Sequence, residues 1–191
     1  MVEFTAVYFD KPGDQNTDAT LAVAKRAADE LGIKTVICAS TSGSTALKLA
    51  EVFDPKQFNL MVVTHNYGFP APGKVEITDD VRVKLCKKGV MVYSGTLALS
   101  GVNSAIAKGL NTYDYASFFA TVTRKLFSDG TKVCMEVVMM AADAGLVPDW
   151  NQDVIAIAGT GKGADTAWVV KPVSSRGFLD LRMKMLLCKP L

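Results

Sequence analysis

Three short loops rich in glycine, serine and threonine carry most of the polar chemistry of this chain. Each follows an apolar run that predicts a β-strand: residues 40–45 read STSGST, residues 64–69 read THNYGF, and residues 159–166 read GTGKGADT. In open α/β sheets, ligands bind at the carboxyl ends of the strands, because the loops there gather backbone N–H groups and helix N-termini. Three such loops predict a site for a phosphate-bearing ligand, but they do not specify a reaction.

The loop of residues 40–45 is the strongest candidate for the phosphate site. Hydroxyl side chains flank Gly43 on both sides, so backbone N–H groups can converge there without obstruction by a Cβ atom. The dipole of the helix predicted to follow also favours an anion. The alternative, an ordinary strand-to-helix turn with a serine N-cap, is less favoured. The predicted contacts are Ser40, Thr41, Ser42, Gly43, Ser44 and Thr45.

The glycine-rich segment 159–166 matches neither common nucleotide-binding motif. The GxxxxGK[ST] spacing of a P-loop is absent, the glycines do not follow GxGxxG, and no helix is predicted after them. The pattern is equally compatible with two structures. One is a tight turn between strands; the other is a backbone that closely approaches a flat ligand, with Lys162 near the charge of that ligand. The candidate contacts are Gly159, Thr160, Gly161, Gly163, Asp165 and Thr166.

His65 is the only histidine, so a triad or an imidazole-based metal cluster would have to include it. It could donate to a ligand or act as a general base, but a lone loop histidine is more often a structural residue. Tyr67 and Phe69 could stack on a planar ring or simply attach the loop to the core. The candidate contacts in this loop are Thr64, His65, Asn66, Gly68 and Phe69.

The segment 131–144 (TKVCMEVVMMAADA) is nearly apolar all round, which predicts a buried helix. Glu136 and Asp143 lie seven residues apart and project from one face of it. A buried carboxylate requires a partner, for which Lys162 and Arg176 are candidates. Ligand binding and structural pairing are equally supported for Glu136, whereas Asp143, near the helix end, is assigned a structural role.

Alternating patterns predict the elements that position these loops. Strands are predicted at 5–10, 35–39, 59–64, 90–93 and 153–158, with helices at about 17–31, 44–53 and 79–88. Helices 113–127 and 131–144 precede the fifth strand, segment 166–171 predicts a hairpin partner, and 182–188 is compatible with helix or strand. We therefore predict one domain over residues 1–191, of the α/β class, with three α/β/α layers and a mostly parallel sheet.

Composition narrows the classes of partner. The net charge is +2 with charges scattered along the chain, which argues against nucleic acid and membrane surfaces as partners. No signal peptide and no apolar run of the ~18 residues needed to span a membrane is recognisable, so a cytoplasmic location is expected. The four cysteines are far apart and are expected to be buried thiols, with no bound metal. An apolar fraction of 49% is compatible with a homo-oligomer.

The stretch TVICASTSGSTALKLAEVFDP, residues 35–55, resembles the C-terminal domain of pyruvate kinases. In that family this loop holds a phosphate of an allosteric sugar bisphosphate, which implies the same role for residues 40–45. Nearly the whole chain is similar to a group of stand-alone, mostly archaeal proteins with the pyruvate kinase alpha/beta domain. The matching segments are FDKPG..NT at 9–17, LSG at 99–101, VCMEVVMMAADAG at 133–145 and GKGADT at 161–166. The chain contains no pyruvate kinase catalytic barrel, so phosphoryl transfer is not implied.

The resemblance implies flavin mononucleotide (FMN) as the ligand. Its phosphate would lie on residues 42–45, its ring against residues 65–69 and 159–166, and Lys11 and Asn16 would close the rim. A bound flavin would make the chain an FMN-dependent oxidoreductase that transfers hydride, although no residue stands out as a catalyst. The alternatives are a non-catalytic sensor of a sugar phosphate or nucleotide, as in pyruvate kinase, and an assembly module with purely structural loops.

Overall fold

A computed structural model describes residues 3–191 of the chain. Seven strands are formed: β1 (Val7–Phe9), β2 (Thr35–Ala39), β3 (Asn59–Thr64), β4 (Met91–Ser94), β5 (Val154–Ala158), β6 (Thr166–Lys171) and β7 (Arg182–Pro190). The α-helices are α1 (Thr17–Leu31), α2 (Ser44–Val52), α3 (Asp79–Lys87), α4 (Val102–Gly109), α5 (Tyr115–Leu126) and α6 (Asp129–Asp143). Two 3-10 helices cover Asp14–Asn16 and Ser175–Asp180.

The strands form one sheet in the order β1-β7-β6-β5-β2-β3-β4. Strand β6 runs antiparallel to both of its neighbours, and every other pair is parallel, which confirms the mostly parallel sheet and the predicted β5–β6 hairpin. Strands β5, β2 and β3 are consecutive in the sheet. The loops that leave their carboxyl ends therefore emerge side by side at one edge.

Helices cover both faces of this sheet, as predicted for a three-layer α/β/α domain. Within β2, Val36 and Cys38 point into the core beneath α1, α2 and α3, whereas Ile37 points into the core beneath α6. The same alternation places Leu60 of β3 in the first core and Met61 in the second. Because both faces are buried, these strands are continuous apolar runs in the sequence.

Short polar signals set most of the helix ends. Gly32 adopts a left-handed conformation (φ 69°) directly after α1, and Thr78 Oγ1 accepts a hydrogen bond from Val81 N at the start of α3. Ser128 Oγ accepts from Thr131 N at 3.0 Å, so α6 begins at Asp129. The sequence predicted a break at residues 128–130 between two helices. Only Ser128 lies outside α6, whereas Asp129 and Gly130 belong to it.

The structure adds one helix, decides one open assignment and corrects the burial of one cysteine. Helix α4 was not predicted; it has only eight residues, and none of them is buried. The ambiguous segment at 182–188 is strand β7, which pairs with both β1 and β6. Cys86 lies exposed on α3, whereas Cys38, Cys134 and Cys188 are buried as expected, and all four are free thiols. Within residues 3–191, no helix is long and apolar enough to cross a membrane.

Candidate functional site

A cleft of about 960 Å³ opens at the carboxyl edge of β5, β2 and β3, and all three predicted loops line it. The sheet order explains this convergence, since each loop leaves one of three neighbouring strands. The predicted residues that line the cleft are Ser40, Thr41, Ser42, Ser44, Thr45, Thr64, His65, Phe69, Glu136, Gly159, Gly161 and Gly163.

The first turn of α2 presents free backbone donors to the cleft. Its N-cap residue is Gly43 (φ 88°), which has no side chain to cap the helix, so the alternative of a serine at the N-cap position is wrong. Ser40 Oγ accepts from Ala46 N at 3.3 Å, but within residues 3–191 the N–H groups of Ser44 and Thr45 donate to no protein acceptor. The Ser42 and Ser44 hydroxyls are exposed and lie 3.3 Å apart beside these amides. Unpaired amides and hydroxyls at a helix N-terminus form an anion-binding arrangement.

Gly43 contributes its backbone rather than a contact surface. A Cβ atom at this position would lie 2.3 Å from Val81 Cγ1 on α3, so its open side is occupied by a neighbouring helix. Gly43 therefore does not line the cleft. Its left-handed conformation directs the chain from β2 into α2 and so orients the neighbouring amides.

The loop after β3 brings an ordered histidine to the cleft. His65 Nδ1 lies 2.6 Å from Glu76 Oε2, and its ring stacks on Phe69 with a centroid distance of 3.7 Å and an interplanar angle of 28°. All three residues line the cleft. Because Glu76 occupies Nδ1, Nε2 is the ring nitrogen that a ligand can use.

Other predicted residues of this loop maintain its shape. Gly68 N donates to Lys74 O at 2.7 Å, and Asn66 Nδ2 donates to Tyr67 O at 2.8 Å. Neither Asn66 nor Gly68 lines the cleft. Thr64 does line it, but its hydroxyl is 2.8 Å from the His65 carbonyl oxygen, to which it donates.

The β5–β6 turn is tied together by one buried carboxylate. Asp165 is fully buried and accepts hydrogen bonds from Gly13 N (2.9 Å), Thr160 N (3.1 Å) and Thr166 Oγ1 (2.8 Å). Thr160, Asp165 and Thr166 therefore stabilise the turn and do not line the cleft. The backbone at Gly163 closely approaches the chain just before α1, since an added Cβ would lie 2.5 Å from Asp14 Cα.

Lys11 and Asn16 lie in a different place from the other predicted residues. They line a separate shallow depression together with Tyr8 and Gln15, outside the cleft. The Asn16 side chain donates to the Lys11 carbonyl oxygen at 2.7 Å, which closes the turn before α1. Neither residue is brought to the rim of the cleft.

Helix α6 supplies a charged pair, of which the sequence predicted only one member. Lys132 and Glu136 are 1% and 5% exposed, and the Lys132 ammonium group is ion-paired with Glu136 one turn later. Lys132 Nζ also donates to Ser100 Oγ at 2.9 Å, and Glu136 Oε1 accepts from Leu99 N at 2.8 Å. Lys162 and Arg176 were thus the wrong partners for Glu136; the i,i+4 spacing of Lys132 and Glu136 was the overlooked signal. Burial lowers the pKa of Lys132.

Asp143, the other carboxylate on α6, has the structural role that was expected of it. Its Oδ1 atom accepts from Ser175 N at 2.9 Å, which attaches the 3-10 helix Ser175–Asp180 to the end of α6.

The comparison with protein families identifies the fold. The family model described as "Pyruvate kinase, alpha/beta domain" matches residues 18–170, a stretch that runs from α1 to β6. The chain belongs to this family. Among solved structures, it is similar to Cryptosporidium parvum pyruvate kinase in complex with ADP, at 14% identity and a TM-score of 0.42. That match covers 86% of this chain and 25% of the other, so the chain spans a quarter of the length of that pyruvate kinase.

Charges of both signs line the cleft of this pyruvate kinase alpha/beta domain, and its carboxylates are Asp14, Glu76, Asp129 and Glu136. Lys162 is exposed on its wall, Lys48 is paired with Asp18 at 2.6 Å, and Arg124 is paired with Asp129 at 3.0 Å. Lys48 and Arg124 were not predicted as contacts, because they lie on α2 and α5, where exposed charges are common. Lys162 was considered from the sequence as a residue near the charge of a ligand, and it does line the cleft. Within residues 3–191, no cluster of three or more His, Cys, Asp and Glu side chains is arranged to hold a metal ion.

Proposed function

We propose that this chain is a binding domain that senses a phosphorylated small molecule, a sugar phosphate or nucleotide, without turning it over. The observation that carries the proposal is the first turn of α2, where Ser40 pairs only the Ala46 amide and the Ser44 and Thr45 amides stay free to open into the cleft beside the Ser42 and Ser44 hydroxyls. Family membership supports it, since the resemblance to pyruvate kinases implies that this loop holds an effector phosphate. Kinship with the mostly archaeal stand-alone group is part of the same proposal.

The cleft offers distinct surfaces to the two ends of such a ligand. The phosphate lies on the amides of Ser44 and Thr45, where the helix dipole and charge-assisted hydrogen bonds favour an anion. The carbon skeleton lies between the His65–Phe69 ring pair and the apolar side chains of Val133, Val137 and Met140 on α6. The volume of about 960 Å³ is large enough for a mononucleotide.

The experiment is isothermal titration with inorganic phosphate, ADP, a sugar bisphosphate and FMN. The double variant Ser42→Ala/Ser44→Ala removes two hydroxyls that would contact the phosphate. Each hydrogen bond to a charged group contributes about 1.5–3 kcal/mol, so we expect the affinity to fall by at least about tenfold. Thr121→Ala, which removes an exposed hydroxyl on α5 outside the cleft, is the matched control and should bind like the wild type.

Two results would overturn the proposal. One is the absence of binding by every compound of the panel, tested also by thermal shift, where a bound ligand must raise the melting temperature. The other is binding that the double variant retains at full strength while its fold is intact by circular dichroism.

FMN is a second candidate ligand, favoured by the stacked rings of His65 and Phe69 at the cleft, which provide a flat surface for an isoalloxazine ring. When bound, the flavin would supply hydride-transfer chemistry, and these residues would orient it. The visible absorption spectrum of the purified protein tests this proposal. A colourless protein that also fails to take up added FMN would exclude it.

A cytoplasmic homo-oligomer remains our proposal for location and assembly. Exposed apolar side chains on α4 and α5, among them Ile106, Tyr115 and Phe118, support self-association. Sedimentation velocity at two concentrations tests it, and a monomer at both would argue against it.

A further inference from the structure

A buried amine lies in the wall of the cleft. Among residues 3–191, the buried charged side chains are Lys132, Glu136 and Asp165. Asp165 is fully engaged in the β5–β6 turn, whereas Lys132 and Glu136 line the cleft. An ion pair that only fastened a helix to a loop would not need to face a ligand-sized cavity.

The contacts of Lys132 leave it able to react. Its Nζ atom is held by Glu136 Oε2 and Ser100 Oγ, so two of the three hydrogens of the ammonium group are used within residues 3–191. Burial favours the neutral amine and lowers the pKa of Lys132. The adjacent Glu136 carboxylate, fixed by Leu99 N, can accept a proton from that nitrogen and return it.

The surroundings of Lys132 match one end of the ligand proposed above. Val133 and Val137, its neighbours on α6, give an apolar wall for a carbon skeleton, and the free amides of α2 border the same cleft. A ligand held by its phosphate would therefore present its carbon skeleton to the amine, and such orientation greatly accelerates a reaction between two groups.

We propose that Lys132 captures the carbonyl group of a phosphorylated aldehyde or ketone as an imine. This inference rests on the proposed phosphate-binding function and names the class of ligand. Reversible capture of this kind is compatible with a sensor as well as with an enzyme.

The step requires no oxidant and no cofactor. Glu136 first accepts one proton from the Lys132 ammonium group, which frees the lone pair of Nζ. That lone pair forms the C–N bond while the C=O π bond breaks, and the oxygen takes up a proton as the nitrogen loses one, which gives a carbinolamine. The C–O bond then breaks, the oxygen leaves as water with the second nitrogen proton, and the C=N bond forms. Glu136 carries these protons between nitrogen and oxygen. One amine and one carbonyl give one imine and one water.

The test uses pyridoxal 5′-phosphate as the probe, because it combines a phosphate, a flat ring and an aldehyde. Wild-type protein is incubated with a substoichiometric amount of the probe and reduced with borohydride, which fixes an imine as a stable secondary amine. Peptide mass spectrometry then locates the adduct. We expect it on Lys132, and we expect inorganic phosphate to suppress it.

Three comparisons separate capture in the cleft from ordinary lysine chemistry. The probe without phosphate, 5′-deoxypyridoxal, should label Lys132 at least about tenfold less. It lacks the phosphate group that would hold it in the cleft and raise its local concentration. Lys125→Met removes an exposed lysine on α5 outside the cleft and should leave the labelling unchanged. Lys132→Met/Glu136→Gln, which avoids an unpaired buried carboxylate, should abolish the adduct.

The outcomes distinguish this inference from the proposed function. Labelling spread over exposed lysines, or absent from Lys132 while phosphate still binds, overturns imine capture and leaves the phosphate site intact. Labelling of Lys132 that neither phosphate nor Ser42→Ala/Ser44→Ala diminishes also overturns it, because the amine would then act outside the proposed site. If no phosphorylated compound binds at all, the proposed function is wrong, and imine capture, which rests on it, is wrong as well.

Discussion

Gly43 shows how a single residue in a predicted binding loop can be required by backbone geometry. It adopts φ 88°, and an added Cβ would lie 2.3 Å from Val81 Cγ1. Gly68 also adopts φ 88°, yet an added Cβ there would meet nothing within 4 Å. The two glycines therefore separate the strain of a left-handed backbone from the effect of a steric clash.

We expect Gly43→Ala to destabilise the protein more than Gly68→Ala. Left-handed backbone costs an alanine about 1–2 kcal/mol at either position, and overpacking against Val81 adds about 1–3 kcal/mol at Gly43. Urea unfolding of both variants measures the difference, and Gly43→Ala/Val81→Ala should recover part of it. Equal losses for the two alanine variants would show that α3 yields to the added methyl group.

At the scale of elements, α6 joins the sheet to the loop that precedes α4. Its apolar residues pack on the sheet, whereas Lys132 and Glu136 fix Ser100 and Leu99 of that loop through two hydrogen bonds. These bonds hold the loop against α6 and leave the charged pair only 1% and 5% exposed in the wall of the cleft. Such a pair is costly to break, because one unpaired charge would remain buried.

Lys132→Met should therefore lower the free energy of unfolding by about 3–5 kcal/mol. The double variant Lys132→Met/Glu136→Gln should regain most of that loss, because its neutral amide leaves no buried charge and can still accept a hydrogen bond from Leu99 N. The pair Lys25 and Asp29 on α1 has the same i,i+4 spacing but is 29% and 53% exposed, so Lys25→Met should cost less than about 1 kcal/mol. Denaturant titrations measure all three variants. Similar losses for both single variants would mean that burial adds nothing to the Lys132 pair.

The elements also show which information the sequence carries locally. The bounds of β2 and β3 match the predicted 35–39 and 59–64, because apolar runs between polar residues mark strands buried on both faces. The pairing of Glu136 was missed, since the pattern of a helix shows that a carboxylate is buried but not which group meets it. Lys11 and Asn16 were misplaced for a similar reason: the sequence shows that they follow a strand but not which residues of that connection face the cleft. Asp14 and Thr17 line it, whereas the Asn16 side chain turns back to the Lys11 carbonyl oxygen.

At the scale of the whole molecule, strand order decides which loops meet. Nothing local to the three loops specifies that β5 lies next to β2, and this adjacency brings residues 159–163 to the same cleft as residues 40–45. The sheet also divides the interior into two cores, each of which contains cysteines: Cys38 and Cys188 in one and Cys134 in the other. These thiols report on whether the whole fold is intact.

The stability of the molecule should fall in alkali because of these buried thiols. Burial raises the pKa of Cys38 and of Cys188 from 9.0 to about 12. Below about pH 8 the thiols are protonated in both the folded and the unfolded chain, so they add no pH dependence. Above pH 9 they ionise only in the unfolded chain, which favours unfolding by about 1.4 kcal/mol per pH unit for each thiol until the folded pKa is reached.

Urea unfolding of the wild type and of Cys38→Ala at pH 8, 9 and 10 isolates this contribution, because other groups titrate equally in both proteins. We expect the wild type to lose more stability than Cys38→Ala between pH 9 and 10. Between pH 8 and 9 the difference between the two proteins should be smaller, because the thiol of the unfolded chain is only partly ionised there. Cys86→Ala removes the exposed thiol and should follow the wild type. Identical slopes for Cys38→Ala and the wild type would mean that Cys38 ionises in the folded chain, and a thiol reagent at pH 8 would then modify Cys38 as readily as Cys86.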